Sequence, residues 1–138
     1  MIADRILEEA RALLGTRWRH MGRSETGLDC IGLVLVAARR AGLDLPEPPP
    51  YRRVPVDQAL RRGAAEHMDA VLPAEVRDGD LLLFNMGVYA GHVGLAGTHP
   101  VYGVASCVHA YLPRGEVVEE RLDPLRQQMT GAFRWREG

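Results

Sequence analysis

The feature that most limits the fold of this chain is a change of hydrophobic period near residue 79. Before it, Ile2, Ile6, Leu7, Ala10, Leu13 and Leu14 recur at helical spacing and predict an amphipathic helix over residues 3–14 that stops at Gly15. Ile31, Leu33, Val34, Leu35, Ala37, Ala38 and Ala41 predict a second helix ending at Gly42. Its apolar positions cover most of the circumference, which places it at the domain centre. After residue 79, "DGDLLLF", "HVGLAG", "VASCVHAY" and "EVVEERL" read as short strands separated by turn residues. "GAFRWR" follows a brief helical turn at 123–129 and is expected to add an edge strand. Helices first and strands later, without βαβ crossovers, predict an α+β fold: N-terminal helices packed on an antiparallel sheet.

Between the halves, "LPEPPPYRRVP" is too rich in proline for a helix or a central strand and reads as an extended connector. "VDQALRRGAAEHM" predicts a short surface helix weakened by Gly63. The 138 residues and 46% hydrophobic content suit a single domain over 1–138 with one core. A net charge of −1 disfavours nucleic acid or an acidic membrane surface as partner. No run of apolar residues is long enough to insert in a bilayer, and "MIADRILEEARALL" carries acids where a signal peptide needs a basic and then an apolar run. The expectation is synthesis in the cytoplasm without an export signal.

Only two cysteines occur, and Cys30 stands at the mouth of the second helix. Unpaired N–H groups and the helix dipole there favour a thiolate. Lowering a thiol pKa by roughly three units takes about 4 kcal/mol, whereas a helix end supplies about 0.3 to 2, so a histidine partner is needed. His92 follows Gly91 at the start of the "HVGLAG" strand, and His109 lies in "VASCVHAY", the expected antiparallel neighbour. A base on one strand and an orienting group on the next is what a nucleophile, base and orienter require. His20, His67 and His99 read as surface or loop residues. A bridge between Cys30 and Cys107 is one possibility, and a free thiol at Cys30 fits better. A two-cysteine, two-histidine zinc set from Cys30, His92, Cys107 and His109 is the weaker alternative, because the pairs lack knuckle spacing.

In order, "LDCIGLV", "DGDLLLF", "GHVGLAG" and "CVHAY" resemble the NlpC family of papain-like cell-wall cysteine peptidases, and "LGTRWRHMGRS" resembles that family's segment upstream of the cysteine. The resemblance implies a papain-like fold, no cofactor and no metal, with Cys30 as nucleophile, His92 as base and His109 as orienting residue. It implies that Asp29 faces the cleft and helps hold a substrate amine, with Trp18 beside it where the family has tyrosine. Ile31 stands in place of the family's serine, and the segment from His92 to His109 is longer than usual. The implied activity is hydrolysis of amide bonds in peptidoglycan stem peptides. "HMGRSETGLDC" is further similar to the branch carried at phage tail tips, which implies tail-tip proteins as partners, a place in a virion or phage-like particle, and action at the cell wall. A catalytically silent tail-tip subunit of the same fold is the competing reading.

Overall fold

The computed structural model describes residues 1–53, 55–87 and 89–137, with the side chains of 89 and 90 outside the description. Helix α1, Ile2–Arg11, is shorter than the apolar spacing predicts, and its last residues continue as a turn into Gly15. Ile6, Leu7 and Ala10 are its buried stripe, and it packs against α2, Cys30–Arg40. Eight of the eleven residues of α2 are buried, as its all-round hydrophobicity requires. Gly42, at φ +103°, ends the helical path in a conformation that a side chain resists. The described residues of the proline-rich connector have no regular structure up to α3, Asp57–His67, which buries only Ala64. The described helices hold no segment long and apolar enough to cross a membrane.

A two-residue ribbon, β1 (Arg23–Ser24) and β2 (Gly27–Leu28), precedes α2. The main sheet holds β3 (Met68–Val71), β4 (Leu81–Met86), β5 (Tyr89–Thr98), β6 (Ala105–Tyr111), β7 (Glu116–Arg121) and β8 (Met129–Trp135), in the order β3-β8-β4-β5-β6-β7. Every pairing is antiparallel, so the α+β expectation holds. Leu81 through Phe84 are buried on both faces of the sheet. One face, with Leu81, Leu83, Val93, Leu95 and Val108, packs on α1 and α2. The opposite face gathers Leu82, Phe84, Ala96, Cys107, Leu122 and Ala132 in a second cluster, partly closed by Leu125 from the 3-10 turn Asp123–Gln128.

One expectation is corrected: β8 is an interior strand. It lies between β4 and β3, and the true edge, β3, is formed by "MDAV", where no strand was expected. The interior position is tolerated because the charged residue within the strand, Arg134, is paired. Arg134 donates to both carboxylate oxygens of Asp80, at 3.1 and 2.9 Å, and Asp80 is almost wholly buried. Trp135 donates its indole N–H to the Gly79 carbonyl at 2.8 Å.

Candidate active site

The sheet register sets the two histidines. The β5–β6 pairing runs from Thr98↔Ala105 to Leu95↔Val108, and its continuation brings His92 to Tyr111 and His109. The His92 and His109 rings are 5.0 Å apart at 64°, with His92 Nε2 and His109 Nδ1 at 2.8 Å. Tyr111, two residues beyond His109 on the same face, stacks on it at 4.8 Å and 11°, and its ring is 5.4 Å from that of His92. Both histidines are buried, His109 completely. Burial, reinforced by the neighbouring His109, holds the His92 pKa well below the ordinary imidazole value, so His92 is neutral at pH 7.

Cys30 is the first residue of α2 and lines a narrow recess together with Trp18, Arg53, Pro55, Gly91, His92 and Tyr111. The recess has about 20 Å³ of room, on the order of one water molecule. Cys30 is only 6% exposed. Burial pushes its thiol up to about 12 and the Asp29 carboxylate adds to the rise; backbone groups of Val93, Ile31 and Cys30 itself pull the other way. The thiolate expected from the helix start is therefore not the resting state: desolvation outweighs the helix end. Neutral thiol beside neutral imidazole is the form this narrow recess favours. Both cysteines are free thiols.

Asp29 sits behind Cys30, 2% exposed, and caps α2. One carboxylate oxygen accepts from the Gly32 N–H at 2.7 Å and from Arg23 Nη1 at 3.2 Å. The other accepts from the Met21 N–H and the Tyr51 hydroxyl, both at 2.7 Å. Tyr51 in turn accepts from Arg23 Nη2 at 2.8 Å, so the proline-rich connector is tied to the start of α2 through its tyrosine. Trp18 is half-buried at the recess, with the Arg53 guanidinium 5.3 Å over its ring. The structure thus brings Cys30, His92, His109 and Trp18 together, while the hydrogen bonds of Asp29 run to the protein's own groups.

Tyr111, Arg53 and Glu120 join this region without having been singled out. Alternation along "CVHAY" was signal enough for Tyr111, whereas Arg53 and Glu120 lie far from the motifs in sequence. Among the described residues no three of His, Cys, Asp and Glu converge to hold a metal ion. A larger, mainly apolar cavity of about 460 Å³ lies between α2, the prolines 46–50 and α3, and contains neither Cys30 nor His92. The smaller recess is the one that holds a thiol beside an imidazole.

Residues 15–128 match the NlpC/P60 family. The chain is a member of the NlpC/P60 family. It is similar to the murein DD-endopeptidase MepS/murein LD-carboxypeptidase of Escherichia coli, with 27% identity over 124 residues, covering 89% of this chain and 57% of that protein. The chain therefore spans little more than half the length of the curated relatives it matches. Among solved structures it resembles the NlpC/p60 domain of the peptidoglycan hydrolase SagA, with TM-score 0.67 and 18% identity, covering 96% of this chain and 97% of that one. An NlpC/P60 protein from Bacillus cereus gives TM-score 0.70 and 22% identity over 96% of this chain and 40% of that one. A lipoprotein-like NLP/P60 protein from Staphylococcus aureus gives 0.67 and 23%, over 99% and 42%. At these identities the likeness is one of fold.

Proposed function

We propose that this NlpC/P60 domain is a thiol hydrolase that cleaves amide bonds in peptidoglycan stem peptides, with Cys30 as nucleophile, His92 as general base and acid, and His109 as orienting residue. The observation that carries it is a cysteine on the first turn of a buried helix sharing a recess with a histidine whose Nε2 lies 2.8 Å from Nδ1 of a second histidine. Family membership and the murein endopeptidase named among its relatives supply the substrate class.

With His92 Nε2–H donating to His109 Nδ1, His92 Nδ1 is left bare to take the Cys30 proton. The thiolate adds to the amide carbonyl, and the oxyanion is met by backbone N–H groups at the helix start, that of Cys30 among them. The imidazolium then gives its proton to the departing amine and the C–N bond breaks, leaving a thioester. Water, deprotonated by His92, releases the acid and restores the thiol. Asp29 serves by holding the start of α2 and Tyr51, and Trp18 forms the recess wall against which a substrate lies. Because Cys30 and His92 begin buried and neutral, substrate entry must widen the recess before the ion pair forms. A phage or phage-like tail tip as the setting, with tail proteins as partners, rests on the likeness of His20–Cys30 to that branch and is the finer part of the proposal.

The test is digestion of purified peptidoglycan by the protein and by Cys30→Ala, with fragments identified by mass. Peptide fragments released by the parent protein alone are expected. Equal release by the variant, or none by either, defeats the reading.

A further inference from the structure

We propose that Glu120 is a positioning residue for this site: it sets the tautomer of His109 and, through it, leaves the correct nitrogen of His92 bare toward Cys30. The inference rests on the catalytic reading above and adds a fourth residue to it.

The β6–β7 register pairs His109 with Val118 and Cys107 with Glu120. Alternation puts all four on one face of the sheet, with Glu120 diagonal to His109, a separation that long side chains bridge. Glu120 Oε1 lies 3.5 Å from His109 Nε2. That nitrogen is the only fully buried side-chain polar atom among the described residues with no hydrogen-bond partner. A group so placed demands a partner, and catalytic hydrogen bonds are often long before substrate binds.

Two neutral arrangements of the histidine pair exist. With His109 protonated on Nδ1, its Nε2 lone pair faces a carboxylate across 3.5 Å, which is repulsive. His92 would then accept at Nε2 and carry its proton on Nδ1, where a base must be empty. With His109 protonated on Nε2, the N–H points to Glu120, Nδ1 accepts from His92 Nε2–H at 2.8 Å, and His92 Nδ1 is free. The negative charge of Glu120 selects the second arrangement.

The charge is secured by its surroundings. His109, and after it Arg114, keep the carboxyl below the usual range against the opposing effect of burial; Arg114, in the turn between β6 and β7, donates Nε to Glu120 Oε1 at 3.2 Å. From β6 the groups facing Glu120 are His109 and the neutral thiol of Cys107. The neighbouring Glu119 is engaged elsewhere, by Arg11 and Ser106. Once His92 becomes imidazolium, the same carboxylate is the nearest anion along the histidine chain and favours that state.

The experiment follows the imidazole nitrogens by long-range 1H–15N spectra on the whole chain, in the parent protein, Glu120→Gln and Glu120→Ala, beside steady-state turnover of a stem-peptide substrate. The parent is expected to show His109 protonated on Nε2. Glu120→Gln, whose amide oxygen still accepts, is expected to retain that tautomer with an intermediate rate. Glu120→Ala is expected to populate the Nδ1 form and lose roughly tenfold to a hundredfold in kcat, with KM nearly unchanged. His109 protonated on Nδ1 in the parent overturns the proposal. So do unaltered tautomer and kcat in both variants. If the parent protein proves inactive, the spectra still judge Glu120 while the hydrolase reading fails separately. Glu120→Gln, nearly isosteric, guards against a folding defect in the alanine variant.

Discussion

Replacing Asp29 should loosen the start of α2, which carries Cys30, before it alters any chemistry. The carboxylate accepts four hydrogen bonds from groups on three stretches of chain: Met21 and Arg23 before α2, Gly32 within it, and Tyr51 of the connector. Loss of a helix cap costs about 1 kcal/mol. Each of the other three bonds contributes about 1 kcal/mol net, with the larger share where a buried donor is stranded. Arg23 is not stranded, because its guanidinium keeps Glu47, the Gly22 carbonyl and Tyr51. Asp29→Ala should therefore lose roughly 4 kcal/mol, well below the summed penalties for an abandoned buried ion. Asp29→Asn keeps one acceptor for the Gly32 N–H but turns an NH2 toward the Met21 N–H, and should lose about half as much, roughly 2 kcal/mol. Urea unfolding followed by circular dichroism measures both, and the thermal midpoint should fall by about 15 °C for alanine at about 4 °C per kcal/mol for a chain of this length. A loss below about 1 kcal/mol for alanine would show that water replaces the carboxylate and that Asp29 does not tie the connector to the helix. Equal losses for alanine and asparagine would refute the assigned donor directions.

The same charge also raises the Cys30 pKa, so Asp29→Asn should speed iodoacetamide labelling of Cys30 at pH 9 if the helix start survives, and an unchanged rate would discount that coupling. In the parent protein the thiol, raised in the folded state to about 12, stabilises the fold fully below its unfolded value and loses that contribution as pH rises from there toward 12. Cys30→Ala should consequently remove about 1.4 kcal/mol per pH unit from the alkaline fall in stability, read by urea melts at pH 9 and 10. His92 has the opposite sign: its folded pKa is depressed, so stability drops as pH falls below about 6.5, and His92→Gln should flatten the profile there. Gly91→Ala would drive a Cβ into the Pro55 carbonyl oxygen, which must move; stability should fall by about 1 to 3 kcal/mol and Cys30 labelling should quicken as the recess wall shifts. Labelling no faster than in the parent would show that Pro55 does not close the recess.

What could be read from the chain, and what could not, follows from the range of the interactions involved. Helices α1 and α2 declare themselves because burial of one stripe, or of the whole surface, is written at intervals of three and four residues. The strands after residue 79 do so through alternation and turns. Their order does not, since pairing joins residues far apart: "GAFRWR", expected at an edge, is interior, and its Arg134 is paired there by the buried Asp80, 54 positions earlier. The site divides the same way. Spacing within "LDCIGLV" and "GHVGLAG" points to Cys30 and His92 because each motif is local to one element, although His92 lies three residues inside β5 and does not open it. The ionisation of that pair depends on what lies over it, namely Arg53, Pro55 and Tyr111 from two other segments. A helix end worth at most about 2 kcal/mol cannot hold a thiolate against such burial, so the sequence overstates the resting reactivity of Cys30. On the proposed hydrolase reading, activation therefore requires hydration or occupation of the recess: a substrate that displaces the Pro55 wall would supply the polarity in which proton transfer from Cys30 to His92 becomes favourable.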